Sequence, residues 1–181
     1  MSVARILQAP GGITRAYLQG WLGQTVDQFC SNATAEFAQI GDKHNHCAHF
    51  VSHALAFQIG KLCNTMNYTN RKKPETGRSL VVSDLFNACP QRGPWGEKPA
   101  TIDLCLIFAV GANGASQAKT GEWIMANIPL KHVGIHLGGE CYNYHNTQSK
   151  KHNEGVYADK TTFFENVYGK GTKTFYGTLP A

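Results

Sequence analysis

The chain has 181 residues, of which 42% are hydrophobic, 10% aromatic and 16% charged. That length and composition fit one folded domain over residues 1–181 and exclude a chain that is disordered throughout. The formal net charge is +5, which favours anionic partners. Lys and Arg are scattered, however, apart from RKK at 71–73 and KK at 150–151, and neither run has the interleaved aromatics of a nucleic-acid platform, so no nucleic-acid partner is expected.

The opening segment, MSVARILQAPGGI, has no long apolar stretch, so a secretory leader is not expected. The expected location at synthesis is the cytoplasm, and action at a cell wall would need an export route outside the general secretory pathway. No stretch approaches the roughly 18 apolar residues of a membrane span. Residues 15–29 carry Tyr17, Leu18, Trp21, Leu22 and Phe29 at near-helical spacing, weakened by Gly20 and Gly23. Residues 48–59 read as a stronger helix with Phe50, Val51, Ala54, Leu55 and Ile59 on one face, Asn45 as its cap and Gly60 as its stop.

Residues 67–78 read as an exposed loop, and 79–90 as a short apolar run followed by a helical turn at 84–88. After a Pro/Gly loop at 90–99, TIDLCLIFAV (101–110) reads as a buried strand, and residues 111–122 as a loop. KHVGIHLGG (131–139) and ECYNYHNTQ (140–148) read as a β-hairpin turning at 138–140, and a last strand is expected within 172–179. Early helices followed by strands predict an α+β domain.

The six cysteines are Cys30, Cys47, Cys63, Cys89, Cys105 and Cys141. They include no CxxC pair, and with no leader expected they read as reduced thiols rather than disulfides or a zinc ribbon. Cys105 lies in an apolar strand and reads as core, and Cys30 follows a helix with no base beside it in sequence. Cys47 falls in the first turn of the 48–59 helix, where unpaired N–H groups and the helix dipole favour a thiolate and can hold an oxyanion. The alternative is a small buried hydrophobe.

His49 and His53 are four apart, the spacing of helical zinc ligands, but Phe50 stands where H-E-x-x-H has its acid. A Cys47/His49/His53 metal site is therefore the minority alternative, and neither a metal nor a cofactor is expected. His44 and His46 read as loop residues, and His49 and His53 as polar-face or core hydrogen-bonding groups.

A nucleophilic cysteine needs a base, and the base an orienting group. His132, Gly134 and His136 share one face of a strand. Gly134 is read as leaving open space for a substrate beside the His132 imidazole, and His136 as polar surface. On the return strand Asn143 and His145 share a face, and either could accept the Nδ1–H of His132.

NHCAHFV followed by HVGIHLGG and YNYHN resembles the NlpC/P60 superfamily of papain-like cysteine hydrolases. DLCLIF (103–108) is similar to the family's strand before the histidine strand. The resemblance implies N-terminal helices packed on a small antiparallel sheet, with Cys47 as nucleophile, His132 as base and Asn143 as orienting residue. It implies an amide bond in peptidoglycan peptides as substrate, and a secretion-system or immunity partner becomes conceivable. HCAHFV also looks like a segment of the lecithin:retinol acyltransferase-like proteins, whose order of His and Cys is permuted. Acyl transfer or thioester hydrolysis by the same Cys-His pair, or a non-catalytic binding or metal-binding domain of the same fold, is the alternative reading. Oligomeric state is not legible.

Overall fold

A computed structural model describes residues 12–31, 46–65, 77–146 and 153–180. The described part is an α+β structure with an antiparallel six-stranded sheet. Its strands are β1 (Arg92–Pro94), β2 (Cys105–Val110), β5 (Lys131–Leu137), β6 (Glu140–His145), β7 (Gly155–Asp159) and β8 (Lys173–Gly177), in the order β1-β8-β2-β5-β6-β7. A separate hairpin pairs β3 (Ala115–Gln117) with β4 (Trp123–Met125), and its first strand lies within the 111–122 segment read as a loop. Five helices are described: α1 (Arg15–Gln19), α2 (Val26–Phe29), α3 (Cys47–Ala54), α4 (Val82–Ala88) and α5 (Thr161–Asn166). Among the described residues no helix is long and apolar enough to cross a membrane.

The sheet is covered on both faces, which is why β2 is buried at every position. Side chains alternate along each strand. Leu106, Phe108, Val110, Val133, Ile135, Tyr142 and Tyr144 point into the main core with residues of α1 to α4. Ile107, Ala109 and Cys141 point the other way, under Phe164 of α5. The register pairs Ala109 with His132, Ile107 with Gly134, and Gly134 with Asn143. That puts His132, Gly134 and Asn143 on the α5 side.

The helix expected over 15–29 is two short ones. The chain leaves α1 at Gly20, Gly23 adopts φ +77°, and α2 restarts with the Thr25 N–H donating to Gln28 Oε1 at 2.8 Å. The helix expected to run to Ile59 stops at Ala54. Phe57 N–H donates to the Ser52 carbonyl at 2.9 Å and Ala56 N–H to His53 at 3.4 Å, a Schellman cap in which Ala56 takes φ +60°. The Tyr17 hydroxyl donates to the last helical carbonyl, Ala54, at 2.8 Å. Gly60 is therefore not the stop. Asn45, His44, RKK at 71–73, KK at 150–151 and most of the 67–78 segment lie outside the described residues.

Candidate active site

Cys47 is the first residue of α3, with His46 at the cap position. The helix packs on β5 and β6 through Phe50, Val51 and Ala54, and this turns its N-terminus toward the start of β5. There the Cys47 thiol lies against the Val133 N–H, the residue immediately after His132, and also interacts with the N–H groups of Cys47 and Ala48. The helix end is tied to the sheet by the His46 N–H, which donates to Asn146 Oδ1 at 2.6 Å.

His132 and Asn143 meet across the hairpin, with Nε2 of the imidazole 2.8 Å from Oδ1 of the amide. Asn143 Nδ2 lies 2.8 Å from Asp159 Oδ2, an acceptor, which fixes which way the amide faces. Its Oδ1 must then accept the Nε2–H of His132, and in neutral His132 the basic lone pair is on Nδ1. This reverses the expectation that Nδ1–H would reach Asn143. His145 Nε2 bonds the same Asp159 oxygen at 2.8 Å. Asn143 is thus the partner of His132, and His145 belongs to the layer behind it. Asp159 had no signal in the sequence, because β7 lies beyond the residues that carry the resemblance.

Two further expectations are corrected. Gly134 does not leave space for a substrate: a Cβ there would meet Phe164 Cζ at 2.7 Å, the Tyr142 carbonyl at 2.9 Å and Asn143 Cβ at 3.1 Å. The glycine admits Phe164, whose ring centroid lies 5.2 Å from that of His132, with Phe163 at 5.7 Å. His136 is not surface: it is buried beside Trp95, and its Nδ1 is 2.9 Å from the Asp103 carbonyl.

Burial also overrides the helix terminus. Cys47 is 0% exposed and His132 5%. Desolvation pushes the Cys47 thiol up to about 12, against the N–H groups of Val133, Ala48 and Cys47 and the charge of Lys131, which pull it down. The depressed thiol expected from helix position is therefore not what the closed site holds. Desolvation likewise pushes His132 down to about 4, opposed by the bond to Asn143. The resting site holds a neutral thiol and a neutral imidazole. Tyr168 lies close enough to feel a charge on Cys47, and it is raised mainly by its own burial.

All six cysteines are buried, and none is in a disulfide. Cys105 is core, as read. His49 and His53 are not joined by Cys47. They meet Cys30 and Cys63 instead, with one ligand atom from each of the four lying within 4.8 Å of the others. The His-x-x-x-His spacing was visible, but the two cysteines that complete the group were not.

No family model matches this chain. No curated protein and no solved structure matches it either.

Proposed function

We propose that this protein is a cysteine hydrolase of the NlpC/P60 type, with a papain-like fold, that cleaves an amide bond in peptidoglycan peptides. The observation that carries the reading is the His132–Asn143–Asp159 relay, which begins one residue from the backbone N–H that contacts the Cys47 thiol. A thiol at a helix start and an amide-oriented imidazole are the two parts that acyl chemistry on an amide requires. The net positive charge suits an anionic wall polymer.

With both groups neutral at rest, the proton moves as the nucleophile attacks. Cys47 Sγ forms a bond to the amide carbon while its proton passes to His132 Nδ1. The N–H groups of Cys47 and Ala48 face the developing oxyanion. The C–N bond then breaks, and the imidazolium returns the proton to the departing amine. Water, deprotonated by His132, cleaves the thioester and restores the thiol. Asn143 accepts the Nε2–H throughout and keeps the reactive lone pair on Nδ1, and Asp159 keeps Asn143 from flipping. Because Cys47 and His132 are covered, a substrate must displace part of that cover to react.

The test is digestion of purified peptidoglycan fragments, followed by mass spectrometry, with the wild type, Cys47→Ala and His132→Ala. The expected result is peptide cleavage by the wild type and none by Cys47→Ala. Turnover of acyl esters with wall peptides left intact would replace this reading with acyl transfer. Equal cleavage by Cys47→Ala would remove Cys47 from the chemistry.

A further inference from the structure

Helix α3 carries a second group of reactive side chains, turned away from Cys47. At about 100° per residue, His49 and His53 lie about 200° and 240° around the helix from Cys47. Two other segments bring cysteines to them. Cys30 ends α2, and Cys63 opens the 3-10 turn Cys63–Thr65. Cys30, His49 and Cys63 are buried, and His53 is partly so. The Phe29 ring closes one side, 5.7 Å from His49 and 5.3 Å from His53.

Two spacings inside this group match edges of a metal polyhedron. His49 Nε2 and His53 Nε2 are 3.1 Å apart, and the Cys30 and Cys63 sulfurs are 3.9 Å apart. Zinc bonds of about 2.3 Å to sulfur and about 2.0–2.1 Å to nitrogen give tetrahedral edges of about 3.8 Å for S···S and about 3.3 Å for N···N. Both observed edges fall within a few tenths of an ångström of those values. The Arg78 N–H donates to Cys63 Sγ at 3.2 Å, the kind of backbone donor that supports a thiolate ligand. Two sulfurs and two imidazoles with no carboxylate select zinc over magnesium or calcium.

We propose that Cys30, His49, His53 and Cys63 form a structural zinc site. Four protein ligands leave no open position for substrate or water, so the ion ties segments together and does no chemistry. It joins α2, the helix that presents Cys47, and the segment after α3. The ligand order, Cys-x18-His-x3-His-x9-Cys, contains no CxxC, and so escapes a search for ribbon-type sites. The inference does not depend on the hydrolase reading.

The experiment is elemental analysis of the purified full chain, with cobalt substitution. The expected results are one zinc per chain and, with Co²⁺, the visible bands of a tetrahedral site together with thiolate-to-metal charge transfer. Cys47→Ala should keep both, while Cys63→Ser and His53→Ala should lose stoichiometric metal. Should Cys63→Ser fail to fold, the cobalt spectrum of the wild type decides alone. Failure of the folded wild type to take up added Zn²⁺, an octahedral cobalt spectrum, or a Cys30–Cys63 disulfide found by peptide mass spectrometry would each overturn the proposal.

Discussion

Cys47 and Cys63 are both buried thiols that accept from backbone N–H groups, yet their surroundings drive them in opposite directions. At Cys47 desolvation dominates and pushes the thiol up to about 12, with three N–H groups and the Lys131 charge opposing it. At Cys63 the hydrogen bond with Cys30 dominates and pulls the thiol well below its ordinary value, helped by His49, His53 and the Arg78 N–H against the cost of burial. The difference teaches that a helix start is not enough to ionise a desolvated thiol. Convergence of several side-chain partners is. One region thus holds a neutral thiol and a neutral imidazole, which under the proposed function exchange a proton only as a substrate reacts. The other already favours the Cys63 thiolate, and burial lowers His53 toward the neutral imidazole that a metal ion binds.

The largest expected effect that separates the two regions is on turnover. His132→Ala should lower kcat/KM by about 10²–10⁴-fold, the usual worth of a general base, with the zinc content of the chain unchanged. Loss of metal together with activity would show that the regions are not independent.

The next effect concerns pH. His132 is held neutral down to about 4, whereas an unfolded imidazole titrates near 6.5. Between these values the unfolded chain binds more protons. The stabilising contribution is therefore complete above about pH 6.5 and is lost as pH falls toward 4, a gap worth about 3 kcal/mol. Urea midpoints for the wild type and His132→Gln across that range check it: the variant should lose part of the slope, and identical slopes would contradict the burial argument.

Gly134→Ala should cost about 1–3 kcal/mol through the clash with Phe164 and the Tyr142 carbonyl. Thermal unfolding reads the loss, and cobalt spectra should not change. An unaltered Tm would mean that α5 yields easily and that the imidazole is less enclosed than the packing indicates.

The smallest contrast is between Asn143→Ala and His145→Ala. Asn143 bonds His132 directly and His145 bonds Asp159, so Asn143→Ala should lower kcat by about tenfold or more, of the order of one lost hydrogen bond to a charged group, and His145→Ala by less. The reverse order in steady-state assays would exchange their roles.

How much of this was legible follows from the range of the interactions. The hairpin, the buried strand β2 and the facing of His132 and Asn143 rest on local patterns of alternation, apolar run and Gly-Gly turn, and they appear as read except that β2 starts at Cys105 rather than at 101. The start of α3 at Cys47 was legible to within a residue. Its end was not, because the Ala56 cap uses a left-handed residue that sequence does not advertise. The imidazole nitrogen used was not legible either, since Asp159 sets it from a third strand. Gly134 was misread because Phe164, the side chain that fills its space, comes from a helix thirty residues on. Cys30 and Cys63 converge on His49 and His53 only through tertiary packing, and a spacing rule built for ribbons passes over them.

The account's central claim is that Cys47 is the nucleophile, and an acid-quenched reaction with peptidoglycan fragments tests it most directly. Peptide mass spectrometry would then locate any substrate-derived acyl group on the chain. The account expects the adduct on the peptide containing Cys47 and on no other cysteine, and its absence in Cys47→Ala. Substrate turnover with the adduct on another residue, or undiminished turnover by Cys47→Ala, would contradict it.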